Sequence, residues 1–301
     1  MKVAIGIDLG GTNVKGILLN EKGDVLHKHY IPTSDEGDEK WKENVLEMVK
    51  CLKEKGQNQV EIVGLSAPGL ANAENSCIAH LPNRLSGLEN FVWSDYFGTQ
   101  TLVLNDAHAA LMAEAKFGAV KGYKNAILLT LGTGVGGGIL INGELYQGLS
   151  QMAGHLGHIS IDTSDDERSI LGIPGSLEYA LGNYSIEKRS IGKFKSTHEL
   201  LKAYSENDSF ATWLWLDAVR KLAITMASLI NVFSPEIIVL SGGITLAGNL
   251  LFEPLQTFID LYEFRPKGKK TKIEKAHFDD LSGAIGAAAF ALGEINKHIG
   301  T

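Results

Sequence analysis

The chain has 301 residues, of which 44% are hydrophobic and 21% are charged, and its formal net charge is −7. This length exceeds the size at which a single hydrophobic core stops growing, so two domains are expected. The acidic balance argues against non-specific binding of nucleic acid, and two distant cysteines, Cys51 and Cys77, argue against a disulfide framework. Because we find no secretory leader and no apolar segment of membrane-spanning length, we expect a cytoplasmic protein.

The first predicted elements form a meander of three strands. Residues 3–32 alternate apolar strand segments with two turns, and the first of these turns is GGTN at 10–13. Residues 126–148 repeat the pattern, with a glycine-rich turn at 132–138. A structural unit that occurs twice predicts two similar domains.

Strands and helices follow each meander in an order that indicates an α/β protein with mixed sheets. In chain order we predict a helix at 39–55, strands in VEIVGLSAPG and TLVLND, a helix in AHAALMAEAKFG that Gly118 ends, an irregular stretch at 149–190, a helical region around 208–232, a buried strand at 236–243 and a final helix near 283–297.

Three glycine-rich turns, at 10–13, 132–138 and 242–243, each follow a predicted strand. Such turns expose backbone N–H groups without a Cβ in the way, which suits a phosphate. GTGVGG at 132–137 precedes a strand pattern rather than a helix, so a dinucleotide-binding Rossmann motif is excluded. A Walker motif is absent from the sequence.

The first turn also has an aspartate before it and a lysine after it, which a plain hairpin does not need. The sequences DLGGT at 8–12 with Lys15, Asn105-Asp106, LGTGVGGG at 131–138 and LSGG at 240–243 resemble the motifs of the ROK family. That family contains bacterial sugar kinases and sugar-responsive repressors, within the superfamily of hexokinase, actin and Hsp70. The resemblance extends from residue 3 to about residue 293.

The resemblance implies a fold of two ribonuclease-H-like α/β domains with a cleft between them. We place the N-terminal small domain at 1–106 with 284–301, and the C-terminal large domain at 107–283. It further implies ATP and Mg²⁺ as nucleotide and cofactor. We expect no nucleic-acid or membrane partner, because the chain is acidic and has no apolar run of membrane-spanning length. Kinases of the family are often dimers, so a homodimer is one expected assembly.

The resemblance also implies which residues bind the nucleotide. Asp8 is expected to help hold Mg²⁺ through water, because magnesium prefers oxygen ligands and keeps several waters. Lys15 is expected either to add positive charge near the phosphates or to lie on a solvated strand face. The residues expected to contact phosphates or adenosine are Gly10, Gly11, Thr12, Gly132, Thr133, Gly134, Gly136, Gly242 and Gly243.

Asn105 and Asp106 lie where a predicted strand ends and a helix begins. The residues alone favour an ordinary role for Asp106 as the N-cap of that helix. The resemblance instead implies that Asp106 is the catalytic base, which removes the proton from the acceptor hydroxyl. Capping is then a second role of the same carboxylate.

The other sugar contacts come from the resemblance alone. It implies that Asn83 and Asn105 bind the sugar with Asp106, and that His158 and Glu178 lie near its anomeric end. The ordinary alternative for His158 is that it caps a turn. The ordinary alternative for Glu178 is that its negative charge stabilises the N-terminus of a helix. His155 stands where many family members have glutamate, although some N-acetylmannosamine kinases have histidine there.

Family kinases commonly hold a structural zinc with three cysteines after the histidine, and this chain has SILGIPGSLE at 169–178 instead. With only His158 left of the usual ligands, we expect no zinc. Packing must then hold the segment, and we expect Ile170, Leu171, Ile173 and Leu177 to be its anchors.

We therefore expect an ATP-dependent hexose kinase that phosphorylates a hydroxymethyl group, with glucose as the leading substrate. N-acetylmannosamine is the alternative sugar. A sugar sensor without catalysis is the second alternative, and the early position of Asp8 leaves no room before it for a DNA-binding domain.

Overall fold

The computed structural model describes residues 2–35, 37, 39–56, 59–81, 84–164 and 166–299. These residues separate into two compact units. Unit 1 comprises Met1–Gly122, Leu145–Ala153 and Ala276–Thr301, and unit 2 comprises Tyr123–Glu144 and Gly154–Lys275. The two domains predicted from the sequence, 1–106 with 284–301 and 107–283, stay a prediction.

The described residues contain twelve strands and nine α-helices. The strands are β1 (Val3–Leu9), β2 (Asn13–Asn20), β3 (Val25–Pro32), β4 (Val60–Ala67), β5 (Leu70–Ala71), β6 (Ile78–His80), β7 (Thr101–Asn105), β8 (Ala126–Leu131), β9 (Val135–Ile141), β10 (Glu144–Tyr146), β11 (Ile237–Ser241) and β12 (Lys272–Lys275). The helices are α1 (Trp41–Lys55), α2 (Trp93–Phe97), α3 (Asp106–Phe117), α4 (Leu177–Leu181), α5 (Ile186–Arg189), α6 (Thr197–Ser205), α7 (Ser209–Phe233), α8 (Asn249–Tyr262) and α9 (Ser282–Ile299).

The first sheet has the strand order β3-β2-β1-β4-β7. Strand β1 pairs antiparallel with β2, and β4 pairs parallel with both β1 and β7. The carboxyl ends of β1, β4 and β7 therefore meet at one edge, where open α/β sheets bind ligands. Asp8, Ser66 and Asn105 lie at or next to these strand ends.

The two faces of this sheet bury different side chains because neighbouring strand residues point to opposite sides. Ile5 and Ile7 belong to the core cluster that includes Trp41 and Met48 of α1. Ala4 belongs to a second cluster with Ala284 and other small residues of α9.

Glycines let α9 approach the sheet backbone closely. A Cβ built on Gly6 would lie 2.0 Å from the carbonyl oxygen of Ala284, and one built on Gly64 would lie 2.0 Å from that of Ala287. Both separations are shorter than any van der Waals contact, so only glycine fits at these two strand positions.

The second sheet has the order β10-β9-β8-β11-β12 and repeats the pattern of the first. Strand β8 pairs antiparallel with β9 and parallel with β11, and β11 pairs parallel with β12. The repeated meander predicted from the sequence is thus confirmed. The core of unit 2 lies among the apolar faces of β8, β11 and α7, with Trp215 buried at its centre.

The three long helices predicted from the sequence are confirmed. The helices predicted at 39–55, 208–232 and 283–297 are α1, α7 and α9. Helix α8 was not predicted, although its buried Leu251, Leu255 and Ile259 follow a helical spacing. None of the described helices combines the length and hydropathy that a membrane span needs.

Candidate functional site

The first glycine turn joins β1 to β2 and is held by its neighbours. The N–H of Gly10 donates to the carbonyl oxygen of Asn13 at 3.1 Å, and the Thr33 hydroxyl donates to that of Gly10 at 2.6 Å. Within the described part of the chain, the N–H groups of Gly11 and Thr12 donate to no protein acceptor. Two adjacent free N–H groups without bulky side chains suit an anion such as phosphate.

Asp8 is near the end of β1, and its side chain is only 17% exposed. The Ser66 hydroxyl donates to Oδ1 at 2.9 Å, and Lys15 Nζ lies 3.8 Å from Oδ2. Burial raises the pKa of Asp8 to about 6, although Lys15 and Ser66 oppose the shift. A carboxylate in this position can serve as an outer ligand of a divalent cation.

Lys15 does not lie free on a strand face. Its ammonium group is 2.7 Å from Oδ1 of Asp280 and also donates to the backbone carbonyl of Asp280 at 3.0 Å. Asp280 and Asp8 together therefore fix Lys15 near the first glycine turn. Whether Lys15 contacts a phosphate stays a prediction.

The raised pKa of Asp8 gives a testable pH dependence of stability. Because the folded pKa is near 6 and the ordinary value is 3.8, the folded state binds the proton more tightly, so stability is lost as pH rises through 6. We expect Asp8→Asn to increase the free energy of unfolding by about 2 kcal/mol at pH 7.5 and by little at pH 4. Urea unfolding at both pH values measures this, with the exposed Asp166→Asn as control. A stabilisation that is equal at both pH values would contradict it.

Asn105, rather than Asp106, is the N-cap of α3, which corrects the capping role expected of the aspartate. The Asn105 Oδ1 accepts from the N–H of Ala107 at 2.9 Å, and Nδ2 donates to the carbonyl of Gly69 at 2.9 Å. Helix α3 begins at Asp106, one residue earlier than a cap at Asp106 would allow. The side chain of Asn105 is thus bound to the protein backbone, and its sugar contact stays a prediction.

Asp106 is the first residue of α3 and is an exposed residue. Its Oδ1 accepts from the N–H of Ala107 at 2.8 Å. The surrounding protein atoms raise the pKa of Asp106, while that hydrogen bond and the positive charge of Arg84 lower it. A carboxylate with a raised pKa at the carboxyl end of a parallel strand is suited to accept a proton.

In unit 2, the second glycine turn lies against Glu178. A Cβ on Gly134 would be 2.4 Å from Oε1 of Glu178, and the N–H of Val135 donates to the same oxygen at 3.3 Å. The other oxygen, Oε2, is buried and has no hydrogen-bond partner among the described residues. A buried carboxylate oxygen without a partner is costly unless a ligand donates to it.

His155 and His158 flank a short 3₁₀ turn, and their rings are stacked at a centroid distance of 6.0 Å. Gly157 between them is forced by packing, since a Cβ there would lie 1.9 Å from the carbonyl oxygen of Val135. Nδ1 of His158 is buried and finds no partner in the described part of unit 2. His158 and Glu178 therefore both offer unused polar atoms.

A cavity of about 850 Å³ lies in unit 2 beside the second glycine turn. Gly132, Thr133 and Gly243 line one part of it, and α6 lines another. Gly242 has a φ of +91°, and a Cβ there would lie 2.5 Å from the carbonyl oxygen of Leu131, so the turn needs glycine. The Thr197 hydroxyl of α6 is buried without a partner among the described residues, and sequence patterns gave no sign of it.

The predicted site residues therefore fall into one group in each unit. Unit 1 contains Asp8, Gly10, Gly11, Thr12, Lys15, Asn105 and Asp106, and unit 2 contains Gly132, Thr133, Gly134, Gly136, His155, His158, Glu178, Gly242 and Gly243. In the second group, the N–H of Gly136 donates to the hydroxyl of Thr130 at 3.1 Å. Asn83, also predicted, lies outside the described residues.

The segment that replaces the family's cysteine motif is packed differently from our expectation. Leu177 is fully buried, but Ile170 is 57% exposed and Leu171 is 55% exposed, so the predicted anchoring by these two residues is wrong. They occupy the tip of a turn in which the N–H of Gly172 donates to the carbonyl of Ser169 at 2.9 Å. Among the described residues, no three His, Cys, Asp or Glu side chains are grouped so that they could hold a metal.

Two five-stranded sheets of the same strand order each have a glycine turn after the first strand. This repeated architecture is the two-domain ATPase fold of sugar kinases. The chain belongs to the ROK family, whose model matches residues 4–294. It is 30% identical to a glucokinase of Halalkalibacterium halodurans over 94% of this chain and 92% of that protein. It is 29% identical to an N-acetyl-D-glucosamine kinase of Haemophilus influenzae, over 95% of this chain and 98% of that one. The crystal structure of a ROK hexokinase from Thermus thermophilus superposes with a TM-score of 0.88 at 29% identity, covering 98% and 99% of the two chains.

Proposed function

We propose that the protein is an ATP-dependent hexose kinase that transfers the γ-phosphate to a hydroxymethyl group, with glucose as its leading substrate. The observation that carries the proposal is the Asp106 carboxylate with a raised pKa, in the same unit as a glycine turn that has free N–H groups. Membership of a family with glucokinase relatives supports the choice of glucose.

In the proposed reaction, Asp106 accepts the proton of the sugar hydroxymethyl while the hydroxymethyl oxygen attacks the γ-phosphorus in line. The bond from that phosphorus to the β–γ bridging oxygen breaks, and ADP leaves. General-base assistance of this kind contributes about 100- to 10,000-fold to the rate. The rest of the rate comes from positioning and from neutralisation of charge on the phosphoryl group. No covalent intermediate on the protein is required.

The unused backbone donors and the nearby carboxylate fit a nucleotide with magnesium. Gly11 and Thr12 would donate to phosphate oxygens, and Asp8 would hold Mg²⁺ through water. With a pKa near 6, Asp8 is mostly ionised at neutral pH, as such a role requires. Bound magnesium would supply positive charge at the phosphates.

For the nucleoside, the cavity beside Gly132 and Gly243 offers room in unit 2. The unpartnered Thr197 hydroxyl supplies a polar group on its wall. Small-molecule sites commonly combine an apolar lining with a few placed polar groups of this kind. We propose that the adenosine part of ATP binds there.

The polar atoms without partners on Glu178 and His158 support their proposed contacts with the sugar. A carboxylate can accept two hydroxyl hydrogen bonds, and a histidine nitrogen can donate or accept one. Asn83 and Asn105 are proposed as further sugar contacts on the family resemblance alone.

The test of the proposed function is ADP release by the purified chain with ATP and Mg²⁺ across a panel of hexoses and N-acetylhexosamines. We expect sugar-dependent ADP release with glucose among the best acceptors. Best turnover of N-acetylmannosamine would favour the alternative kinase. Sugar binding without ADP release for any sugar would indicate a sensor and refute the proposal.

His155 gives a prediction about the choice of sugar. A neutral imidazole offers one donor and one acceptor, whereas glutamate accepts from two hydroxyls. If His155 contacts the sugar, His155→Glu should raise kcat/KM for glucose about 10-fold or more, because it adds one charge-assisted hydrogen bond. It should also abolish any activity on N-acetylmannosamine.

The matched control is His27→Glu, which changes an exposed histidine of β3 outside both groups of predicted site residues. It should leave the ratio of kcat/KM for the two sugars unchanged. If His155→Glu also leaves that ratio unchanged, His155 has a structural role and no part in sugar selection.

A further inference from the structure

Arg84 lies against the first glycine turn, although no sequence motif pointed to it. A Cβ built on Gly11 would lie 2.9 Å from Nη2 of Arg84, so the guanidinium occupies space that glycine leaves open. The same turn carries the free N–H groups of Gly11 and Thr12. Two backbone N–H groups and one guanidinium thus lie in one small region of unit 1.

The positive charge of Arg84 also acts on Asp106, where it lowers the pKa of the carboxyl. Arg84 therefore adjoins the turn proposed to bind phosphate, and its charge acts on the proposed base. The structure records no hydrogen bond or ion pair between Arg84 and any other described residue. Its donors are available for a ligand.

The residues that follow Arg84 are held in place by burial and by hydrogen bonds, while the Arg84 side chain itself is exposed. Leu85 is 2% exposed and Leu88 is fully buried in the core of unit 1. The N–H of Leu85 donates to Oδ2 of Asp35 at 3.2 Å, and the indole of Trp41 donates to the carbonyl of Ser86 at 3.3 Å. A fixed backbone reduces the entropy lost when the side chain binds.

We propose that Arg84 binds the phosphoryl group while it passes from the nucleotide to the acceptor hydroxyl. The inference rests on the proposed kinase function and extends it to a residue outside the motifs. A guanidinium presents several N–H groups in a planar fork that matches phosphate oxygens. Phosphoryl transfer depends on such neutralisation because negative charge is spread over three oxygens.

Two substitutions test the proposal. Arg84→Gln removes the charge and is expected to lower kcat about 100-fold or more, with the KM for sugar changed less than about threefold. Arg84→Lys keeps a charge but loses the fork, so we expect a loss of about 10-fold. Arg220→Gln, an exposed arginine of α7 bonded to the Tyr262 hydroxyl, is the control and should leave kcat unchanged.

The substitutions also separate binding of phosphate from an effect on Asp106 alone. If Arg84 acts only by holding Asp106 ionised, Arg84→Lys should restore kcat fully, and the loss in Arg84→Gln should appear as a shifted pH profile of kcat. Either result would overturn the proposed contact with the phosphoryl group. A loss of kcat across the whole pH range supports it.

A binding measurement gives a second readout that does not require turnover. We expect Arg84→Gln to weaken the non-hydrolysable analogue AMPPNP about 10-fold and ADP less than twofold by calorimetry, because only the former has a γ-phosphate. Wild-type kcat and wild-type AMPPNP affinity in Arg84→Gln would overturn the proposal.

The two proposals fail in different ways. An unaltered chain that binds AMPPNP yet releases no ADP with any sugar contradicts the kinase function alone, and the AMPPNP comparison then decides the role of Arg84. An unaltered chain that binds no AMPPNP overturns both.

Discussion

Asp106→Asn is expected to lower kcat by about 100-fold or more while leaving sugar affinity nearly unchanged. The amide is nearly the same size as the carboxylate but cannot accept the proton of the hydroxymethyl group. The N-cap of α3 is Asn105, so the substitution leaves the helix start intact. Steady-state ADP release and calorimetry with glucose measure the two quantities.

The control for this prediction is Asp95→Asn, which removes an exposed carboxylate of α2 in the same unit. It should leave kcat unchanged and unfold at the same urea concentration as the unaltered chain. Asp106→Asn should unfold at the same or a higher urea concentration, because the raised pKa of Asp106 favours a neutral group at that position. An Asp106→Asn protein that retains most of its kcat would remove Asp106 from the role of base and leave proton removal to another group.

The second large effect is expected on stability, from Gly286→Ala in α9. A Cβ at this position would lie 1.6 Å from the backbone carbonyl oxygen of Ala109 in α3, and a backbone atom cannot move aside cheaply. Overpacking of this kind typically costs 1–3 kcal/mol, so we expect a loss of about 3 kcal/mol or more in the free energy of unfolding. Urea unfolding measures it.

Gly293→Ala is the matched control in the same helix, because a Cβ there would meet no atom within 4 Å. Alanine is favoured over glycine inside a helix by roughly 0.5–1 kcal/mol, so this variant should be slightly more stable than the unaltered chain. Equal stability of the two variants would show that α3 and α9 are not in the close contact described here.

The sequence predicted the repeated meanders because strand periodicity and glycine turns are local signals. It also placed Asp8 and Asp106 at strand ends, where the structure has them. Arg84 could not be predicted in this way, because it follows Gly11 by 73 positions in the chain and only the tertiary fold brings the two together. Local sequence patterns carry no information about contacts between residues so far apart in the chain.

Errors of one or a few residues had local physical causes. The N-cap was expected at Asp106, with the helix starting at Ala107. Asn105 instead ends β7 and caps α3, since its amide oxygen accepts from the helix and its amide nitrogen donates to Gly69. Ile170 and Leu171 were expected to be buried because they are apolar. Their place at the tip of a tight turn keeps both from the core.

The contact of α9 with β1 and β4 has a consequence for synthesis on the ribosome. Unit 1 is assembled from three separate segments, and α9 emerges only after all of unit 2 has been made. Until then, the sheet face around Ala4, Ile17 and Ile62 lacks its covering helix. Domains generally fold as units during synthesis, and exposed apolar surface promotes aggregation. We therefore expect nascent chains that stop before residue 276 to bind chaperones through this face, and release to follow the emergence of α9.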